Sequence, residues 1–197
     1  ESMSALDIKN NLLGVCDQMY LFEPGDDTTV CVLKAVKPKK VKLFTGPPSH
    51  KEDDAKVVHE LMTNADIRIV SGGTTSQIVA RELGVEVKSS TEIYDKEVPP
   101  IAYIHGINLV TEGVLTLSKT IDRLKSLSKS LDSNIFKAKD GASQMAKLLY
   151  SASHIKLLVG RSLNIANAEI SFQRDLELRL HVIGELEKIL VKLGKIV

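Results

Sequence analysis

The chain has 197 residues, 43% hydrophobic and 26% charged, enough for one buried core and an appendage. With 26 Lys+Arg against 25 Asp+Glu, 4% aromatics and no Trp, it lacks both the field that steers nucleic acid or acidic membrane and the platforms that stack single strands. No apolar run approaches the roughly 20 residues of a membrane span and no secretory h-region is read, so neither nucleic acid nor membrane is expected as a partner.

In chain order, Glu1-Ser2-Met3-Ser4 reads as an artificial junction, with natural sequence once lying before it. Residues 5–22 read as a helix with Leu6, Leu12, Leu13, Val15 and Cys16 on a loose apolar face. Pro24-Gly25-Asp26-Asp27 is a turn, and the β-branched stretch from Thr28 to Val36 predicts a buried strand, broken by Lys37-Pro38. Cys16 and Cys31 form no CxxC and have no His at metal-ligand spacing; they read as small core residues in a reducing cytoplasm. One helix and one strand bury too little apolar area to stand alone. They are expected to belong to something larger.

From Val41 short strands and helices alternate, the pattern of a parallel sheet. Strands are predicted at Val41–Thr45, Ile67–Val70, Val85–Lys88, Ile101–Ile104 and His154–Val159. Ser49-His50-Lys51-Glu52 has capping-box spacing and opens a helix whose face carries Val57, Val58, Leu61 and Met62. Thr74 and Gln77 repeat that spacing at the next helix, which ends at Gly84. Thr111 or Asn108 caps a helix over about 113–127, and 126–132 reads as a polar hinge. Asp140 opens a helix with Ala142, Met145, Ala146, Leu148 and Leu149 inward. The last helix carries Leu176, Leu180, Ile183, Leu186, Leu190 and Leu193 on one stripe, with Asp175 and Glu177 early and Lys188 and Lys192 late, as the macrodipole favours. Gly194 caps it, and Lys195-Ile196-Val197 is placed to close as an edge strand. The expected fold is α/β: a mostly parallel sheet with flanking helices in Rossmann-like layering over 38–197, preceded by the helix and strand of residues 1–37.

Several stretches together carry a resemblance. Pro24-Gly25-Asp26-Asp27-Thr28-Thr29-Val30 resembles the turn that precedes the final strand of metal-dependent type-2C protein phosphatases. Val70-Ser71-Gly72-Gly73-Thr74-Thr75-Ser76-Gln77, Gly106-Ile107-Asn108-Leu109, Asp140-Gly141-Ala142-Ser143 and Val159-Gly160-Arg161-Ser162-Leu163-Asn164 are similar to the domain that follows the phosphatase in clostridial-type proteins of the stage II sporulation protein E family. The resemblance implies that residues 1–37 are the C-terminal remnant of a serine/threonine phosphatase domain and that 38–197 are its regulatory or assembly domain. In the parent family Mg²⁺ or Mn²⁺ activates water for phosphoester hydrolysis, held by several aspartates because hard cations need several anionic oxygens. Only Asp26, with Asp27 beside it, matches that ligand set, so this chain alone is expected to hold no metal and to lack phosphatase activity. The same two residues equally read as a solvated Asx turn.

Parallel strands bring the loops Gly46–Lys51, Ser71–Thr75 and Gly160–Asn164 to one sheet edge. There Gly72, Gly73, Thr74 and Thr75 place amides at a helix start, with Arg161 as a guanidinium fork for an anion and His50 and Lys51 as further charge. The glycines equally read as a tight strand-to-helix turn with Thr74 as the cap. They have neither the dinucleotide nor the P-loop spacing. Glu112 and Asn164 are further loop candidates, Glu52 a candidate base, and His59, His105, His154 and His181 share no spacing. No nucleophile, base and orienter can be read together. The readings are a regulatory domain of a cytoplasmic phosphatase that pairs with the upstream domain or a second copy, a small anionic-ligand or nucleotide-binding module, and an enzyme acting on a phosphorylated small molecule.

Overall fold

The computed structural model describes residues 3, 5–23, 25–129, 135, 137–162 and 171–197, with side chains from 175 onward in the last stretch. The chain divides into two compact units, Glu1–Lys37 and Pro38–Val197.

In the first unit, α1 spans Ala5–Met19 and buries none of its residues. The expected strand over 28–36 does not form. A strand needs a ladder partner and a surface to pack on, and Leu33 and Val36 are instead exposed. Cys31 is exposed and Cys16 half-buried, so neither is the core residue that composition suggests.

The second unit contains β1 (Lys40–Thr45), a 3₁₀ turn (Lys51–Asp53), α2 (Asp54–Met62), β2 (Ile67–Ser71), α3 (Gly73–Leu83), β3 (Lys88–Ser89), β4 (Ala102–Tyr103), β5 (Leu109–Thr111), α4 (Val114–Lys129), α5 (Gly141–Ser151), β6 (His154–Val159) and α6 (Ser171–Lys192). The strands form one sheet in the order β3-β4-β5-β2-β1-β6. Its centre is parallel, with Leu43 of β1 opposite Ile69 of β2 on one side and Leu157 of β6 on the other. β2 and β5 are also parallel, whereas β4 runs antiparallel to both β5 and β3. The expected α/β class with a mostly parallel sheet is therefore what the chain adopts.

Alternation along the strands sends successive side chains to opposite faces. Val41, Leu43, Ile67 and Ile69 meet Leu117, Met145, Leu149, Leu186 and Leu190 from α4, α5 and α6 in one core. Phe44 and Val70 meet Val58, Leu61, Ile78 and Val79 from α2 and α3 in the other. Both sheet faces are thus covered, with Lys42 of β1 and Arg68 of β2 charged residues within largely apolar central strands.

Several local expectations are corrected. Ser49 and Thr74 do not cap. The 3₁₀ turn is preceded by His50 and α3 by Gly72, neither with a side-chain cap; Gly72, at φ 114°, turns the chain into α3 ahead of Thr74, which falls within the helix. Asn108 and Thr111 belong to the β5 segment, not to a helix cap: the Asn108 Oδ1 accepts the Arg68 amide at 2.8 Å and Thr111 pairs with Ser71. Residues 126–129 continue α4, and 130–132 of the expected hinge lie outside the described residues. The strand expected at 85–88 shrinks to Lys88–Ser89. On α6 the covered side chains are Val182, Ile183, Leu186, Ile189 and Leu190, while Leu180 is exposed. The expectation for Asp140 holds, its Oδ1 accepting the Ser143 amide at 2.9 Å as the N-cap of α5. Gly84 ends α3 in the left-handed conformation, and Ile196 makes a single parallel bridge to His154 in place of an edge strand.

Candidate functional site

The central parallel strands all end on one side of the sheet. Their following helices diverge, α2 and α3 to one face and α4 and α6 to the other. Where neighbouring connections part in this way, an α/β sheet leaves a crevice outside the carboxyl ends of its strands. A crevice of about 290 Å³ is found there. β1 contributes Thr45 and its loop Gly46 and Pro47; β2 contributes Ser71, leading through Gly72 into Gly73, Thr74 and Thr75 of α3; Gly113 and Val114 open α4; Ser162 follows β6; and Asp175, Leu178 and Arg179 come from α6.

The ends of these strands are tied together through backbone acceptors. The Gly72 amide donates to the Thr111 carbonyl (2.9 Å), and the Ser71 hydroxyl to the Glu112 carbonyl (2.8 Å). Gly160 and Ser162 donate to the carbonyls of Thr45 and Pro47 (2.9 and 3.1 Å). The first amides of α3, on Gly73, Thr74 and Thr75, precede any intrahelical acceptor and carry the positive end of the helix dipole. Thr45 is 2% exposed and Thr75 1%. Both line the crevice, and neither hydroxyl has a hydrogen-bond partner among the described residues.

The cation in the crevice is Arg179. Its guanidinium lies against Gly46, whose left-handed backbone (φ 77°) brings the chain close and where any Cβ would collide with it. Among the described residues it makes neither an ion pair nor a hydrogen bond. Burial pulls its pKa below the usual guanidinium value, and the Asp175 carboxylate one turn earlier partly offsets that. Sequence reading passed over Arg179. Its one signal was position: three residues after Leu176 and four before Ile183, it puts a charge on an otherwise apolar helix stripe.

Of the residues singled out in the sequence, Gly72, Gly73, Thr74 and Thr75 are brought together here. Arg161 is not with them. It lines a neighbouring cleft of about 540 Å³ with His50, Asp53, Lys56 and the apolar Phe44, Val57, Leu157 and Leu158. The two spaces are divided where Gly160 packs against the carbonyls of Gly46 and Pro47. Lys51 and Glu52 sit in the exposed 3₁₀ turn, and Glu112 is exposed, its carbonyl rather than its carboxylate engaged by Ser71. Asn164 lies outside the described residues.

In the first unit, Asp26 and Asp27 are exposed. The Asp27 amide donates to the Asp26 Oδ1 (2.8 Å) and the Thr28 hydroxyl to the Asp26 carbonyl (3.4 Å). Among the described residues no three His, Cys, Asp or Glu side chains converge as a metal site would need, and no helix is long and apolar enough to cross a membrane. No family model, curated protein or solved structure matches this chain.

Proposed function

We propose that residues 38–197 are a ligand-sensing regulatory domain that binds a small anion, and that they serve beside a serine/threonine phosphatase of the stage II sporulation protein E type without carrying its catalysis. The crevice at the carboxyl ends of β1, β2 and β5 carries this reading: helix-start amides and a half-buried Arg179, without an ion-pair or hydrogen-bond partner among the described residues, face one small space. The place beside a phosphatase is supported by the sequence motifs around Asp26, Gly72 and Arg161. The chain supplies two adjacent carboxylates on one turn where a binuclear metal centre needs several from separate strands.

Thermal unfolding of the whole chain at constant ionic strength, with phosphate, sulfate or malonate against chloride, tests the ligand-binding part. At least one of the three is expected to raise the midpoint by mass action; no shift with any of them overturns it. Hydrolysis of a phosphoserine peptide with Mn²⁺ added tests the other part, and turnover by this chain alone would show that it is itself the enzyme.

A further inference from the structure

Resting on that reading, we infer that the ligand is the phosphate monoester of a small polyol, its phosphate held by Arg179, the start of α3 and the hydroxyls of Thr45 and Thr75. The donors come from three separate elements. Thr45 ends β1, the amides and Thr75 open α3, and Arg179 reaches in from α6. A planar carboxylate offers two oxygens in one plane, which a single fork satisfies; a tetrahedral phosphate has oxygens for donors arriving from several sides. Thr45 and Thr75 are two threonines almost wholly buried as residues, and their hydroxyls, without a partner among the described residues, line the crevice as the independent sign of an acceptor there. A phosphate oxygen would give each of these hydroxyls an acceptor.

Size and the remaining charge narrow the rest of the molecule. A space of about 290 Å³ holds roughly ten water-sized volumes at about 30 Å³ each, room for a phosphate and a short carbon skeleton. Asp175 lines the same space. A carboxylate there repels a second anionic group and accepts from hydroxyls, which selects an alcohol-bearing skeleton over a dicarboxylate. The wider apolar cleft with Arg161 lies beyond the Gly160 wall and takes no part.

Isothermal titration of the whole chain with glycerol 3-phosphate, inorganic phosphate, malonate and glycerol tests this. Glycerol 3-phosphate is expected to bind tightest and glycerol not at all. Arg179→Gln is expected to weaken glycerol 3-phosphate by about tenfold to a hundredfold, whereas Arg161→Gln leaves it unchanged. Asp175→Asn is expected to bring glycerol 3-phosphate closer to inorganic phosphate. Malonate binding as tightly as glycerol 3-phosphate overturns the phosphate assignment while leaving an anion site; no binding of any anion overturns both. If Arg179→Gln fails to fold, Thr75→Val decides, since it removes one hydroxyl at constant volume: unchanged affinity for glycerol 3-phosphate overturns the proposal.

Discussion

In residues 38–197, Leu43, Phe44, Leu186 and Leu190 are sealed from solvent, whereas in the preceding unit Leu33 is 94% exposed and Phe22 78%. Both stretches are rich in apolar side chains, so hydrophobic content does not separate them. What differs is geometry. In the second unit, parallel pairing of β1 with β2 and β6 creates two faces, and helices return to cover each of them. In the first unit α1 has no core of its own, and the β-branched run after it has no ladder. Hydrophobic stabilisation follows area removed from water, not residue count.

The contrast breaks most sharply at single leucines. Leu186→Ala empties a site 0% exposed between α6 and the sheet and is expected to cost about 2–5 kcal/mol in urea unfolding. Leu33→Ala is expected to change stability by no more than about 0.5 kcal/mol; a comparable loss there would show that the first unit is packed in solution. Two aspartates sharpen the comparison at a smaller scale. Asp140 and Asp26 each accept a nearby backbone amide, but Asp140 does so while buried, as the cap of α5, and Asp26 in an exposed turn. Asp140→Ala is expected to cost about 1 kcal/mol and Asp26→Ala close to nothing, measured in the same way.

The smallest effect concerns charge. Glu60 Oε1 accepts from Lys42 (2.5 Å) and Lys156 (2.9 Å), and these hydrogen bonds, Lys42 first, bring its carboxyl from the ordinary 4.5 down to about 2. A carboxyl lowered in the folded state binds protons more readily when unfolded. Its contribution is therefore present above about pH 4.5 and lost as pH falls toward 2. Glu60→Gln is expected to flatten that part of the acid-unfolding curve. An unchanged slope would show that the pair is screened away at the surface.

Much of the fold was legible along the chain. The strands at Lys40–Thr45, Ile67–Ser71 and His154–Val159 are runs of β-branched and leucine residues between clear breakers, and Gly84 and Asp140 mark helix ends by chemistry that acts within one turn. Strand β5 escaped because three residues, Leu109–Thr111, carry too short a pattern and earn their pairing from β2. The capping-box spacings at Ser49 and Thr74 misled for a related reason: they are correct local grammar, overridden by the turn through Gly72 and by the 3₁₀ turn before α2.

At the crevice the same division holds. The glycine-threonine run from Gly72 to Thr75 was visible because a strand end, a turn and a helix start are neighbours in sequence. Its cation was not. Arg161 and Arg179 are both single arginines near glycines or leucines, and nothing local says which one faces Thr75. That was decided by α6 packing across the sheet so that Arg179 lies against Gly46, and by Gly160 closing off the side where Arg161 stands. Periodicity and turn chemistry act over a few residues and are written in the sequence. The meeting of residues more than a hundred positions apart depends on which strand lies beside which, and only the assembled sheet determines that.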